Sequence, residues 1–231
     1  MNWYDVVGLI SSIALFIPII IILFFRLAWY KSFPALVIYF LLVSVQIFLA
    51  LNFTSTSKTF IEAYGITNNF LDAPLMLTFM TYFSKTASFR KKMKIIVAAL
   101  IVFEIIVITI YGYNKEAVPV VLGPGVTLVF IFSLLFFLHQ AKIAIVYQKA
   151  AGKALMTVSL LFAYSGYLFI YIVYYIMRTP HKADTFLIYY CVATFSSLIF
   201  SAGLFYERKR VKQLTELKIA REELKIVYGQ S

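Results

Sequence analysis

Asp72 and Glu104 both lie inside long apolar stretches of this chain. An ionisable group buried in a membrane span is costly and marks a functional site by default. Asn68 and Asn69 precede Asp72 by four and three residues, so on a helix the three share one face and point together into a bundle. Pro74, just beyond, cannot donate a backbone hydrogen bond and frees a carbonyl nearby. This group either handles a ligand or a proton, or acts as interhelical glue of the kind worth ~0.6–2 kcal/mol in membranes. Glu104 has only apolar neighbours in sequence and is the candidate second intramembrane acid, facing a partner helix. Tyr164, Tyr167, Tyr171, Tyr174 and Tyr175 recur at steps of three and four, which places their rings along one helical stripe. Such a stripe either packs against neighbouring helices or walls a pocket for a flat, apolar ligand, where aromatic linings with a few polar groups are usual. Gln46 and Asn52 add polarity to another apolar stretch, Gln46 as interhelical glue. His139 with Gln140 and the distant His181 fall at opposite ends of the spans and cannot share a metal. No HExxH, GxSxG, P-loop or paired-cysteine pattern occurs.

The elements that must position these groups are membrane helices. Of 231 residues, 62% are hydrophobic and 13% charged, with 17 Tyr and 23 Phe, whereas soluble domains run near ~45–50% apolar and ~25% charged. About seven stretches approach the ~20 apolar residues that span a bilayer as a helix: residues 6–28, 34–53, 67–84, 94–113, 118–140, 154–177 and 185–206. Trp3, Tyr4, Trp29 and Tyr30 flank the first as interfacial anchors. Gly123-Pro124-Gly125 interrupts the fifth, predicting either a broken helix lining a cavity or a ragged start at the outer interface. Cys191, the single cysteine, is expected as a small core residue.

The net charge of +11 raises nucleic acid as a partner, but its distribution excludes that. Seventeen of the 21 basic residues fall in alternate connections and the tail, leaving Lys58, Lys115, Arg178 and Lys182 on the other side. The positive-inside rule then predicts an N-terminus outside and a C-terminus in the cytoplasm, in the plasma (cytoplasmic) membrane. The chain meets no positive charge until Arg26, after its first apolar stretch, so that stretch is expected to stay as an anchor. Residues 1–206 form one seven-helix domain, and 207–231 a basic amphipathic tail. Arg208, Lys209, Arg210 and Lys212 are expected to place that tail on the anionic inner leaflet. The alternative is a helical stub that pairs with a cytoplasmic signalling partner or a second copy.

Two stretches resemble the microbial rhodopsins. Asn68-Asn69-Phe70-Leu71-Asp72-Ala73-Pro74-Leu75 is similar to the third helix of that family, where an acidic counterion precedes a Thr-Thr-Pro-Leu run. Tyr164-Ser165-Gly166-Tyr167 and Tyr171 are similar to the aromatic residues that clasp retinal on its sixth helix. The resemblance implies a seven-helix fold and a pocket in which Asn68, Asn69, Asp72, Tyr164, Tyr167 and Tyr171 surround the chromophore's place. Residues 185–206 contain no lysine, so no retinal Schiff base is expected. Aligning Pro74 with the family's proline puts Asn68 where the counterion would stand. Taken together, the sequence predicts an all-α receptor or sensor that holds a small apolar ligand non-covalently, or none. A small-solute transporter is the alternative if the fifth helix is broken. An intramembrane enzyme of lipid metabolism is the alternative if Asp72 and Glu104 meet as an acid/base pair.

Overall fold

A computed structural model describes residues 3–50, 56–147, 150–177 and 182–228, which form helices and short turns without a strand. Asn52, Lys149, Arg178 and His181 lie outside the described residues. The helices are α1 (Trp3–Phe24), α2 (Phe33–Ala50), α3 (Lys58–Met80), α4 (Ala87–Tyr111), α5 (Ala117–Tyr147), α6 (Ala151–Tyr171) and α7 (Lys182–Tyr228). A 3-10 turn, Thr81–Phe83, extends α3, and a π-helical turn, Ile172–Ile176, extends α6.

Five of these, α1, α4, α5, α6 and α7, are long and apolar enough to cross a membrane. The apolar part of α2, Phe33–Leu49, is shorter, and α3 is diluted by Lys58, Glu62, Asn68, Asn69 and Asp72. The outside of the bundle carries Ile20, Leu23, Ile105 and Leu138, with Ile110 and Ile145 exposed to 71% and 80%. Water would not tolerate so continuous an apolar exterior, while lipid covers it without cost. The chain is an all-helical, multi-pass membrane protein.

Several helix ends differ from the apolar boundaries because capping, not hydropathy, sets them. Ser57 accepts the Phe60 amide at 3.2 Å and starts α3 at Lys58, well before residue 67. Thr86 does the same for Phe89 and starts α4 ahead of its basic run. Asn114 Oδ1 accepts the Glu116 and Ala117 amides at 3.0 and 3.2 Å, which fixes the start of α5. From there α5 continues through Gly123-Pro124-Gly125 to Tyr147, so the triplet is neither a break nor a ragged start. The glycines serve packing: a Cβ on Gly125 would lie 2.9 Å from the Cβ of Ala73 on α3, and one on Gly123 would lie 2.5 Å from the Tyr171 hydroxyl.

Each helix packs on the next in chain order, and α7 also packs on α1, so the seven close into a ring, with α3 touching α5 across it. Small residues allow this, as membrane helices require. Ser197 Oγ donates to the Ala14 carbonyl at 2.7 Å between α7 and α1, and Ser159 Oγ to the Ser196 carbonyl at 2.6 Å between α6 and α7. Phe33, Phe79, Phe83, Met76, Tyr164 and Phe200 are wholly buried in the centre. Cys191 is not a core residue: it lies exposed on the outer face of α7. The expected tail boundary at 207 falls inside α7, which runs unbroken for 47 residues, about 70 Å at 1.5 Å per residue.

Candidate functional site

Asn68, Asn69 and Asp72 project from one face of α3, as their spacing requires, into a cavity of about 300 Å³. Its other walls are Tyr39, Val43, Gln46 and Ile47 of α2, Leu122 and Val126 of α5, and Tyr167, Ile170 and Tyr171 of α6. Tyr174 and Tyr175 of the π-helical turn and Tyr189 and Tyr190 of α7 complete it. Five of the six residues singled out in the sequence line this space. The sixth, Tyr164, is fully buried beside it and donates its hydroxyl to Asp72 Oδ2 at 3.1 Å, tying α6 to α3. Tyr39 brings a second hydroxyl to the same carboxyl.

Asn69 donates from Nδ2 to the Gly65 carbonyl at 2.7 Å, within its own helix. Tyr171 donates to the Pro119 carbonyl at 3.1 Å while its ring lies over Gly123, so the glycine makes the room that the tyrosine fills. Gln46 is not interhelical glue as expected: its Oε1 is buried without a partner and the side chain lines the cavity. The π-helical turn inserts an extra residue into the ladder after Tyr171, and such turns recur at functional sites. Here it sets Tyr174 and Tyr175 edge to face, ring centroids 4.8 Å apart.

The sequence pointed to one tyrosine stripe, on α6, and missed the walls from α2 and α7. Tyr39, Val43, Gln46 and Ile47 recur at helical steps, a readable signal masked by the uniformly apolar stretch around them. Tyr189 and Tyr190 gave no such signal; only the ring closure brings α7 to the site, where Tyr189 stacks on Tyr167 at 5.6 Å.

Glu104 is buried on α4 with Oε1 unpartnered. It does not line the cavity, and Asp72 takes its hydrogen bond from Tyr164 instead. Glu104 makes no hydrogen bond to Asp72 among the described residues, although it lies within electrostatic reach of that carboxyl.

A second polar cluster forms at the other end of the bundle. Glu207 of α7 is 1% exposed and accepts the Tyr82 hydroxyl at the end of α3. Lys153 of α6 stands 4.3 Å from the centre of the Tyr82 ring, and Arg210 lies 3.7 Å from Glu207. The four basic residues expected at the leaflet divide: Arg208 stacks on Phe25 at 3.8 Å, Arg210 pairs with Glu207, Lys212 pairs with Glu216 at 3.8 Å, and Lys209 is exposed. Glu207 escaped the sequence reading because the hydropathy drop there resembles the end of a span.

Comparison with family models, with curated proteins and with solved structures finds no match to this chain, so the case for function rests on the cavity and the cluster themselves.

Proposed function

We propose that this chain is a seven-span receptor or sensor that holds a small, largely apolar ligand non-covalently between α3 and α6 and signals through its basic cytoplasmic face. The observation that carries this is the hydrogen bond from Tyr164 to Asp72 across the wall of an aromatic cavity. A group meant only as glue needs no adjoining space, whereas a ligand site needs concavity, apolar walls and a few convergent polar groups. The microbial rhodopsin resemblance is a further reason to look for a ligand between α3 and α6. No lysine lines the cavity among the described residues; retinal is expected to give no band above ~450 nm that hydroxylamine bleaches, and such a band would refute the non-covalent site.

The route to the cytoplasmic face is α6 and α7. Each carries a cavity tyrosine, Tyr167 or Tyr189, and each carries a residue of the opposite cluster, Lys153 or Glu207. Rearrangement around a ligand therefore acts on the contact that fastens α3 to α7. Tyr82→Phe leaves Glu207 buried without its neutral donor, at a cost of about 1–3 kcal/mol, and is expected to lower the melting temperature in detergent by several degrees. An unchanged melting temperature would show that the cluster fastens nothing.

Orientation follows the charge distribution, with Arg208 and Lys209 exposed where inner-leaflet phosphates would stand. A reporter active only outside the cytoplasm should be silent when fused after Ser231 and active when inserted near Lys115. The reverse result removes the N-out, seven-span arrangement.

A further inference from the structure

The chemistry of the cavity wall narrows the ligand further, and this step rests on the proposed site. Among the described residues the lining contains one carboxylate, Asp72, and no Lys, Arg or His. It offers a buried acceptor without a partner beside the donors of Asn68 and the tyrosine hydroxyls. Gln46 Oε1 is buried without a partner, and Asn69 has spent a donor on the Gly65 carbonyl. The remaining wall is dominated by tyrosine rings, including Tyr39, Tyr167, Tyr171 and Tyr189. Aromatic faces carry negative potential and attract cations, most strongly where water is excluded.

An anionic ligand would meet the Asp72 carboxylate with no basic side chain among the described lining residues to offset it. A wholly neutral, apolar one would leave Asp72 and Gln46 Oε1 facing hydrocarbon. We propose that the ligand is a small organic cation, a quaternary ammonium or protonated amine on an apolar body, held by Asp72 within the tyrosine walls. An ammonium that keeps an N–H also donates to Gln46; a quaternary one relies on the rings and the carboxylate.

The test uses the full chain purified in detergent, titrated calorimetrically with choline, with benzyltrimethylammonium and with 3,3-dimethylbutan-1-ol, the uncharged isostere of choline. At least one cation should bind, and choline or its larger analogue should bind tenfold or more tighter than the alcohol. Asp72→Asn should lower that affinity at least tenfold. Tyr189→Phe, which keeps the ring, should retain it, and Tyr189→Leu should lose it. Equal or tighter binding of the alcohol overturns the cation while leaving the cavity a binding site. No binding of either cation to protein whose melting temperature is that of the unmodified preparation also overturns it. Recovery of a neutral ligand from the same preparation would then show that the site itself stands.

Discussion

Gly152→Val is expected to be the most damaging single substitution in the bundle, leaving little folded protein in detergent. A Cβ at Gly152 would stand 2.5 Å from the Glu207 amide nitrogen and 2.8 Å from the Gly203 carbonyl oxygen. Both are backbone atoms of α7 and cannot swing aside as a side chain would. Relief requires α6 and α7 to separate, and the same separation pulls Glu207 from Tyr82 and Lys153. Overpacking alone costs about 1–3 kcal/mol, and the buried carboxylate left behind adds a penalty of similar size. Gly152→Ala should show the same trend at smaller amplitude. Gly65→Ala is the control: its Cβ would come within 3.2 Å only of the Gln46 amide, a side-chain end that can move, and melting should shift little. Equal melting of Gly152→Ala and the unmodified chain would mean that α6 and α7 do not approach this closely.

Asp72→Asn is expected to separate stability from function. The amide keeps the shape, and its oxygen still accepts the Tyr164 hydroxyl, so the melting temperature should stay within a few degrees. What disappears is the charge. Hydrogen bonds to charged groups are worth about 1.5–3 kcal/mol, so affinity for the cavity's ligand should fall roughly tenfold to a hundredfold. Glu104→Gln should leave affinity unchanged, because Glu104 does not line the cavity. Both quantities must be measured on the same purified variants. Full retention of binding in Asp72→Asn, or equal loss in Glu104→Gln, would remove Asp72 from the centre of the site.

The residues of the site were more legible in the sequence than the elements that hold them. Helical spacing alone joined Asn68, Asn69 and Asp72, and spacing alone drew Tyr167 and Tyr171 onto one face, because periodicity is a property of the helix and not of its surroundings. Hydropathy found the apolar centres of the helices and misplaced their ends. Ser57, Thr86 and Asn114 set those ends by capping amides, a signal that an apolar average does not register. Gly123-Pro124-Gly125 was misread for a related reason: the same residues that weaken a helix in isolation permit close packing once Ala73 and Tyr171 lie against them. Glu207 and Tyr189 were invisible because both acquire their roles only when α7 closes the ring against α1 and α6, a contact that no local pattern encodes. Cys191 shows the limit of composition, since in a membrane bundle an apolar neighbourhood includes the lipid-facing side as readily as the core.

Ligand binding at this site requires that the space beside Asp72 admit a second molecule. The direct test is an experimental structure of the chain purified from its membrane into lipid nanodiscs, at a resolution that defines side chains. Density not belonging to the protein, enclosed by Tyr39, Tyr167, Tyr171 and Tyr189 and within hydrogen-bonding or ion-pairing distance of Asp72, is the predicted result. Closure of the space by the tyrosine rings themselves, with Asp72 sealed against Tyr164 and no room for a second molecule, would contradict it.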